Sequence, residues 1–243
     1  MSKVVIVTGG ARGIGAATAG LLAAKDFSVV VNYRANAERA TELVSQIEAG
    51  GGDAIAVQAD VSIEAQVARL FDAAENRFGT VTHLVNNAGI LFQQTTLINV
   101  DLERFNKVMQ VNVNSCFLCC REYLRRHRGP GAIVNVSSVA ARLGSPFEYV
   151  DYAASKGAID SLTKGLATEV AAQGIRVNAV RPGLIYTEMH ADGGEPNRVD
   201  RIAPNLPMKR GGDTSEVAET IFWLLSEQSS YVTGNLVDVA GGR

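Results

Sequence analysis

Six short runs of consecutive apolar, β-branched-rich residues alternate with longer helix-like segments along nearly the whole chain, and this alternation restricts the fold more than any other feature. The runs are Val4–Val7, Val29–Val31, Ala54–Val57, His83–Val85, Ala132–Val136 and Ile175–Val180. A strand apolar on both faces belongs inside a parallel sheet covered by helices. Between the runs lie segments of helical length at about Ile14–Lys25, Ala37–Ala49, Glu64–Arg77, Leu102–Arg126, Tyr152–Gln173 and Ser215–Ser226. Parallel strands joined by helices are βαβ units with right-handed crossovers, so the expected fold class is α/β, a doubly wound parallel sheet. Leu236–Val239 supplies a seventh strand at one edge. No linker, repeat or low-complexity tract divides the 243 residues, which are therefore expected to form a single domain, 1–243.

The least regular stretch, Tyr186–Gly212, is rich in Gly, Pro and charge. A connection this long inside a compact domain reads as a substrate lid, with a solvated surface loop as the alternative.

Charge narrows the partners. The chain carries 23 basic and 25 acidic residues and has a pI near 6.0, so no general field draws it to nucleic acid or anionic lipid. Its opening residues lack a signal-peptide pattern, and no run approaches the ~20 apolar residues of a membrane span. The expectation is a soluble cytoplasmic protein whose partners are small molecules or copies of itself. Cys116, Cys119 and Cys120 fall in one helical segment without the histidines or second cluster that a metal site needs, and read as packing residues.

Two motifs carry chemistry. Thr8-Gly9-Gly10-Ala11-Arg12-Gly13-Ile14-Gly15 follows the first strand and opens the first helix. In that context Gly9 permits a tight turn, Gly13 lets backbone approach a pyrophosphate, and Gly15 allows close helix packing, with the helix N-terminus facing the phosphates. The second motif is Tyr152-Ala153-Ala154-Ser155-Lys156. Residues four apart share a helix face, so the Lys156 ammonium can lie beneath the Tyr152 ring and favour its phenolate. A tyrosine adjusted in this way can exchange a proton with a substrate oxygen.

Together with Asp60-Val61, Asn86-Asn87-Ala88-Gly89, Asn112, Ser138 and Pro182-Gly183-Leu184-Ile185-Tyr186-Thr187, these motifs resemble, in order and over almost the whole chain, those of the short-chain dehydrogenase/reductase family. The resemblance implies a Rossmann fold, with Asp60 and Val61 near adenine and Asn86, Ala88 and Gly89 along the cofactor. It places Pro182, Gly183 and Ile185 beside the cofactor and Thr187 near the nicotinamide amide. It also implies that Tyr152 is the general acid/base, that Ser138 hydrogen-bonds the substrate oxygen, and that Lys156 binds the nicotinamide ribose. Asn112 would hold a water linking Lys156 to solvent. Each residue has a structural alternative: Asp60 can cap the helix near Ile63, Asn86–Gly89 can be a strand-ending turn, and Asn112 can bond main chain.

Ser137 and Ser138 face opposite ways on a strand end, and the family pattern selects Ser138. Tyr149 reads as a pocket wall or surface residue and His190 as an exposed loop histidine. The family commonly forms tetramers through the helices at 102–126 and 152–173, so a homo-tetramer is implied.

Cofactor choice turns on the end of the second strand. A carboxylate there accepts hydrogen bonds from the adenosine ribose in NAD enzymes. This chain has Asn32-Tyr33-Arg34 instead, and Arg34 with Arg12 of the glycine turn can flank a 2′-phosphate. NADP is therefore the expected cofactor, with NAD as the alternative. The expected activity is interconversion of a carbonyl and a secondary alcohol, as in 3-oxoacyl-carrier-protein reductases and sugar dehydrogenases. A cofactor-sensing or scaffold protein on the same fold is the rival. The basic run Arg125-Arg126-His127-Arg128 closes a helix favourably and offers a second reading as a docking patch for an acidic carrier protein.

Overall fold

A computed structural model describes residues 3–243. Seven strands, β1 (Lys3–Val7), β2 (Phe27–Tyr33), β3 (Asp53–Gln58), β4 (His83–Asn86), β5 (Gly131–Val136), β6 (Ile175–Pro182) and β7 (Leu236–Val239), form one sheet in the order β3-β2-β1-β4-β5-β6-β7. Every neighbouring pair is parallel. All seven expected strands are present.

Helices α1 (Gly13–Ala23), α2 (Ala37–Ala49), α3 (Glu64–Phe78), α4 (Leu102–Met109) and α5 (Ser115–Arg126) precede β5 or lie before it in the chain. After β5 come α6 (Ala140–Leu143), α7 (Val150–Val170), α8 (Met189–Asp192), α9 (Arg198–Ile202) and α10 (Thr214–Leu225).

The apolar runs of the sequence are explained by two cores, one on each face of the sheet. On β1, Val4 and Ile6 pack with Leu70 and Phe71 of α3, Cys119 and Tyr123 of α5 and Ile159 of α7. The alternate residues Val5 and Val7 pack with Leu22 of α1 and with Ile221 and Leu224 of α10. Period-two alternation thus sends successive side chains to opposite cores, and neither face can be polar. The three cysteines lie buried in this packing as free thiols.

The expected single helix 102–126 is interrupted. A five-residue π-turn, Gln110–Asn114, separates α4 from α5. Val-Asn-Val-Asn is a poor run for a helix interior, because β-branched residues lose rotamer freedom there and asparagine competes for backbone groups.

Strand order reverses between β1 and β4, and the connections that leave their C-terminal ends run to opposite halves of the sheet, to β2 and to β5. Ligands of open parallel sheets bind in the crevice at such a switch point.

Candidate functional site

The glycine turn sits at that crevice and is held from both neighbouring strands. Thr8 Oγ1 accepts from the N–H groups of Asn87 and Ala88, each at 3.0 Å. Asn87 Nδ2 donates to the carbonyls of Thr8 and Gly9, at 2.9 and 3.0 Å. From β2, Asn32 accepts the Gly9 N–H on Oδ1 at 3.2 Å and the Gly10 N–H on its carbonyl at 2.8 Å. Gly9 and Gly13 have φ of +59° and +52°, the left-handed region that favours glycine. A Cβ on Gly15 would strike the Gly9 carbonyl and come within 2.6 Å of Asn87 Nδ2. The N-terminus of α1 that follows has no side-chain cap and no acidic residue in its first turn. Its leading N–H groups are a ready anion site.

Beyond the turn, Tyr33, Arg34, Asp60, Val61, Ala88 and Gly89 line a cleft of about 460 Å³. Asp60 does not cap α3, whose first residue is preceded by Ile63; instead Oδ1 accepts from Ser62 N and Oγ at 3.0 and 2.6 Å. Partial burial raises its carboxyl, but Ser62 and the charges of Arg34 and Lys107 outweigh this, and the net shift is downward. Arg12 lines the same cleft and binds Asp192 of α8 at 2.6 Å. Arg39, which sequence reasoning missed, also enters the cleft and binds Glu188 at 3.0 Å. A signal existed: an arginine in the first turn of α2, just after the Asn36 cap, opposes the helix dipole.

At the other end, Ser138, Tyr152, Lys156, Pro182, Gly183, Ile185 and Thr187 line a second cavity of about 300 Å³, and Ile14 and Gly89 border it. Ser137 Oγ turns away and donates to the Lys156 carbonyl at 3.2 Å, leaving Ser138 beside Tyr152.

The Lys156 ammonium is 5.5 Å from the Tyr152 ring centroid and donates to the Val136 carbonyl at 2.7 Å. This corrects the expected effect on Tyr152. Burial pushes the phenol up to about 12, with the neighbouring Ser138 opposing by less, while burial lowers Lys156 to about 8. Desolvation is the largest cause of both shifts.

Asn112 lies in the π-turn, fully buried. Its amide donates to Ile90 O and Ser155 Oγ, each at 3.0 Å, and Oδ1 accepts from Ile90 N at 2.8 Å. A Cβ on Gly89 would fall 3.4 Å from Asn112 Oδ1 and 3.6 Å from Lys156 Nζ, so these three residues converge. Asn86 does not join them. Its side chain points into the core and donates to Asn135 Oδ1 at 2.9 Å; successive strand residues alternate, and Asn87 faces the cleft in its place.

From segment 186–212, Thr187, Met189, His190 and Arg198 line this cavity. His190 is not in an exposed loop: it lies on α8, half-buried in the cavity wall, with Nε2 2.9 Å from Ile185 O, and burial lowers its pKa. Tyr149 is a buried wall residue beneath the Arg198 guanidinium, 5.4 Å from its ring centroid. Arg198 binds Glu148 through both terminal nitrogens, at 2.8 and 2.5 Å.

The basic run is largely neutralised within the fold. Arg126 binds Asp72, Glu75 and Glu122, and Arg125 faces Glu64 and Glu122. Among the described residues no cluster could hold a metal ion, and no helix is long and apolar enough to cross a membrane.

A seven-stranded parallel sheet with a glycine turn and an uncapped helix N-terminus at its switch point defines a Rossmann-type fold. A family model described as enoyl-(acyl carrier protein) reductase matches residues 9–243. The chain is 58% identical over 245 residues to an uncharacterized oxidoreductase, YgfF, of Escherichia coli K12, covering 99% of each. It is 42% identical to 3beta-hydroxysteroid dehydrogenase 1 of Eggerthella lenta, over 99% of this chain and 93% of the relative. A short chain dehydrogenase from Burkholderia cenocepacia J2315, solved in complex with NADP, superposes with a TM-score of 0.92 at 34% identity, over 99% of this chain and 97% of that one. The chain belongs to the short-chain dehydrogenase/reductase family of oxidoreductases.

Proposed function

We propose that this protein is an NADP-preferring oxidoreductase that interconverts a carbonyl and a secondary alcohol, with Tyr152 as general acid/base. The observation that carries the reading is that Ser138, Tyr152 and Lys156 border one cavity, which shares Gly89 and Ile14 with the crevice over the α1 N-terminus. The crevice fits a dinucleotide chemically: left-handed glycines that leave the turn without side chains, uncapped helical N–H groups and guanidinium groups are all donors suited to phosphate.

A bound nicotinamide supplies the hydride. The chain's residues supply the proton and the geometry. Tyr152, raised to about 12, holds its proton at neutral pH, the form in which Oη can donate to a carbonyl oxygen. Ser138 Oγ, beside it, would hydrogen-bond the same oxygen and stabilise the negative charge that develops there. Lys156 would bind the ribose hydroxyls, and Asn112 fixes the backbone at Ile90, beside Gly89.

Preference for NADP is supported by the absence of a carboxylate at the end of β2, where Asn32 is committed to the glycine turn, and by Arg34 and Arg39 in the cleft. The test is a panel of ketones and alcohols assayed with each nicotinamide cofactor. Turnover with NADPH and a ketone is expected, and no turnover of any carbonyl or alcohol would overturn the reading. In titrations, Arg34→Ala should lose the NADPH preference with NADH binding nearly unchanged; a wild type that binds NADH more tightly would refute the preference.

A further inference from the structure

Two carboxylates of segment 186–212 stand where the cofactor's phosphates would meet this chain. Glu188 Oε1 accepts from Arg39 at 3.0 Å, and its other oxygen lies 3.9 Å from the position of a Cβ on Gly13, at the opening of α1. Asp192 accepts from Arg12 at 2.6 Å. Both acids are therefore placed against guanidinium groups that line the crevice proposed to hold the phosphates. Thr187, Glu188 and Met189 wall the narrow passage that also contains Gly9, Arg12, Gly13 and Ile14.

The same segment is pinned at its far side. Arg198 holds Glu148, Glu195 accepts from Gln94 at 2.6 Å, and the Tyr149 hydroxyl donates to Gly193 O at 3.5 Å. Gly193 is seated closely enough that a Cβ there would lie 2.7 Å from both Leu91 and the Tyr149 hydroxyl. The far-side contacts join the segment to the substrate cavity, whereas the two acidic contacts join it to the cofactor crevice.

We infer that Glu188 and Asp192 are affinity-determining residues that act as internal competitors for the phosphate donors, so that Arg39 and Arg12 must exchange these carboxylates for phosphate when the cofactor enters. The inference rests on the dinucleotide reading of the crevice. All four side chains are about half exposed, so each pair is worth ~0.2–1 kcal/mol, which corresponds to a ~1.4- to 5-fold change in affinity. Removing both acidic charges while keeping the side-chain shapes should tighten binding by roughly 2- to 25-fold.

The experiment compares wild type with the Glu188→Gln/Asp192→Asn double variant without substrate, following NADPH fluorescence at equilibrium and in stopped flow. The variant is expected to bind NADPH more tightly, with the gain in the association rate and a smaller gain at high salt, where the pairs are already screened. Hydrogen exchange of cofactor-free protein should be faster over 186–212 in the variant. Unchanged or weaker NADPH binding by the variant, beside normal binding by wild type, would overturn the inference alone. Equal exchange over 186–212 would do the same. Failure of both proteins to bind either nicotinamide cofactor would sink the dinucleotide reading and this inference with it.

Discussion

At the residue scale the proposed chemistry depends on one hydroxyl. Tyr152→Phe removes the proton while the ring stays packed among Ala140, Tyr149 and Ala153. It should lower turnover by about 10²-fold or more with cofactor affinity nearly unchanged. Steady-state kinetics beside an NADPH titration check both halves, and near-normal turnover would refute the role. Lys156 sets the pH dependence. Burial lowers its ammonium to about 8, so the positive charge under Tyr152 is present below that pH and lost as pH rises through it. For carbonyl reduction, kcat/KM should therefore fall with a limb near pH 8, while Tyr152, at about 12, stays protonated across this range. Lys156→Arg keeps a permanent charge, and whatever activity it retains should lack that limb. A limb that persists would assign the titration to another group.

Among the elements, the strands and most helices were legible because two buried faces demand continuous apolar runs. The glycine turn was legible because Gly9, Gly13 and Gly15 stand between a strand and a helix in the order a phosphate site requires. Two features were not. The π-turn at Gln110–Asn114 falls on a run of poor helix formers, but its position also meets tertiary contacts of Asn112 with Ile90 and Ser155, which sequence periodicity does not contain. The inward turn of Asn86 depends on strand phase at the end of β4, where a one-residue shift exchanges core for cleft. The turn itself is tested by Gly15→Ala. The added methyl meets the Gly9 carbonyl and the Asn87 amide, which are fixed by Thr8 and β2, so the backbone of α1 must move away. Such overpacking costs about 1–3 kcal/mol. The denaturation midpoint should drop and cofactor binding should weaken in the same variant; a protein as stable and as tight-binding as wild type would show that the close approach is dispensable.

For the whole molecule, the question is what covers the apolar surface that the two cores leave out. On the two helical segments through which the family resemblance implies subunit contacts, Ile159, Leu166, Cys116 and Leu118 are spent inside the monomer. Exposed apolar side chains are spread over the chain, among them Phe147, Met208 and Tyr231; near α4 and on α5 they include Ile98, 92% exposed, Leu102, 72%, and Phe117, 44%, with Arg121 lying over the Phe117 ring. Scattered apolar residues need no partner, but a patch of large side chains along adjoining elements marks an association surface. The homo-tetramer that the family resemblance implies would, if assembled in part through α4 and α5, cover Leu102 and Phe117. Sedimentation should then give about four times the 25.8 kDa chain mass. The double variant Leu102→Glu/Phe117→Glu places charges that an apolar interface cannot desolvate, and should sediment as smaller species while keeping its far-ultraviolet dichroism, since neither side chain belongs to a core. A wild-type chain that sediments at 25.8 kDa would remove the tetramer, and a tetramer indifferent to both charges would move its interface elsewhere.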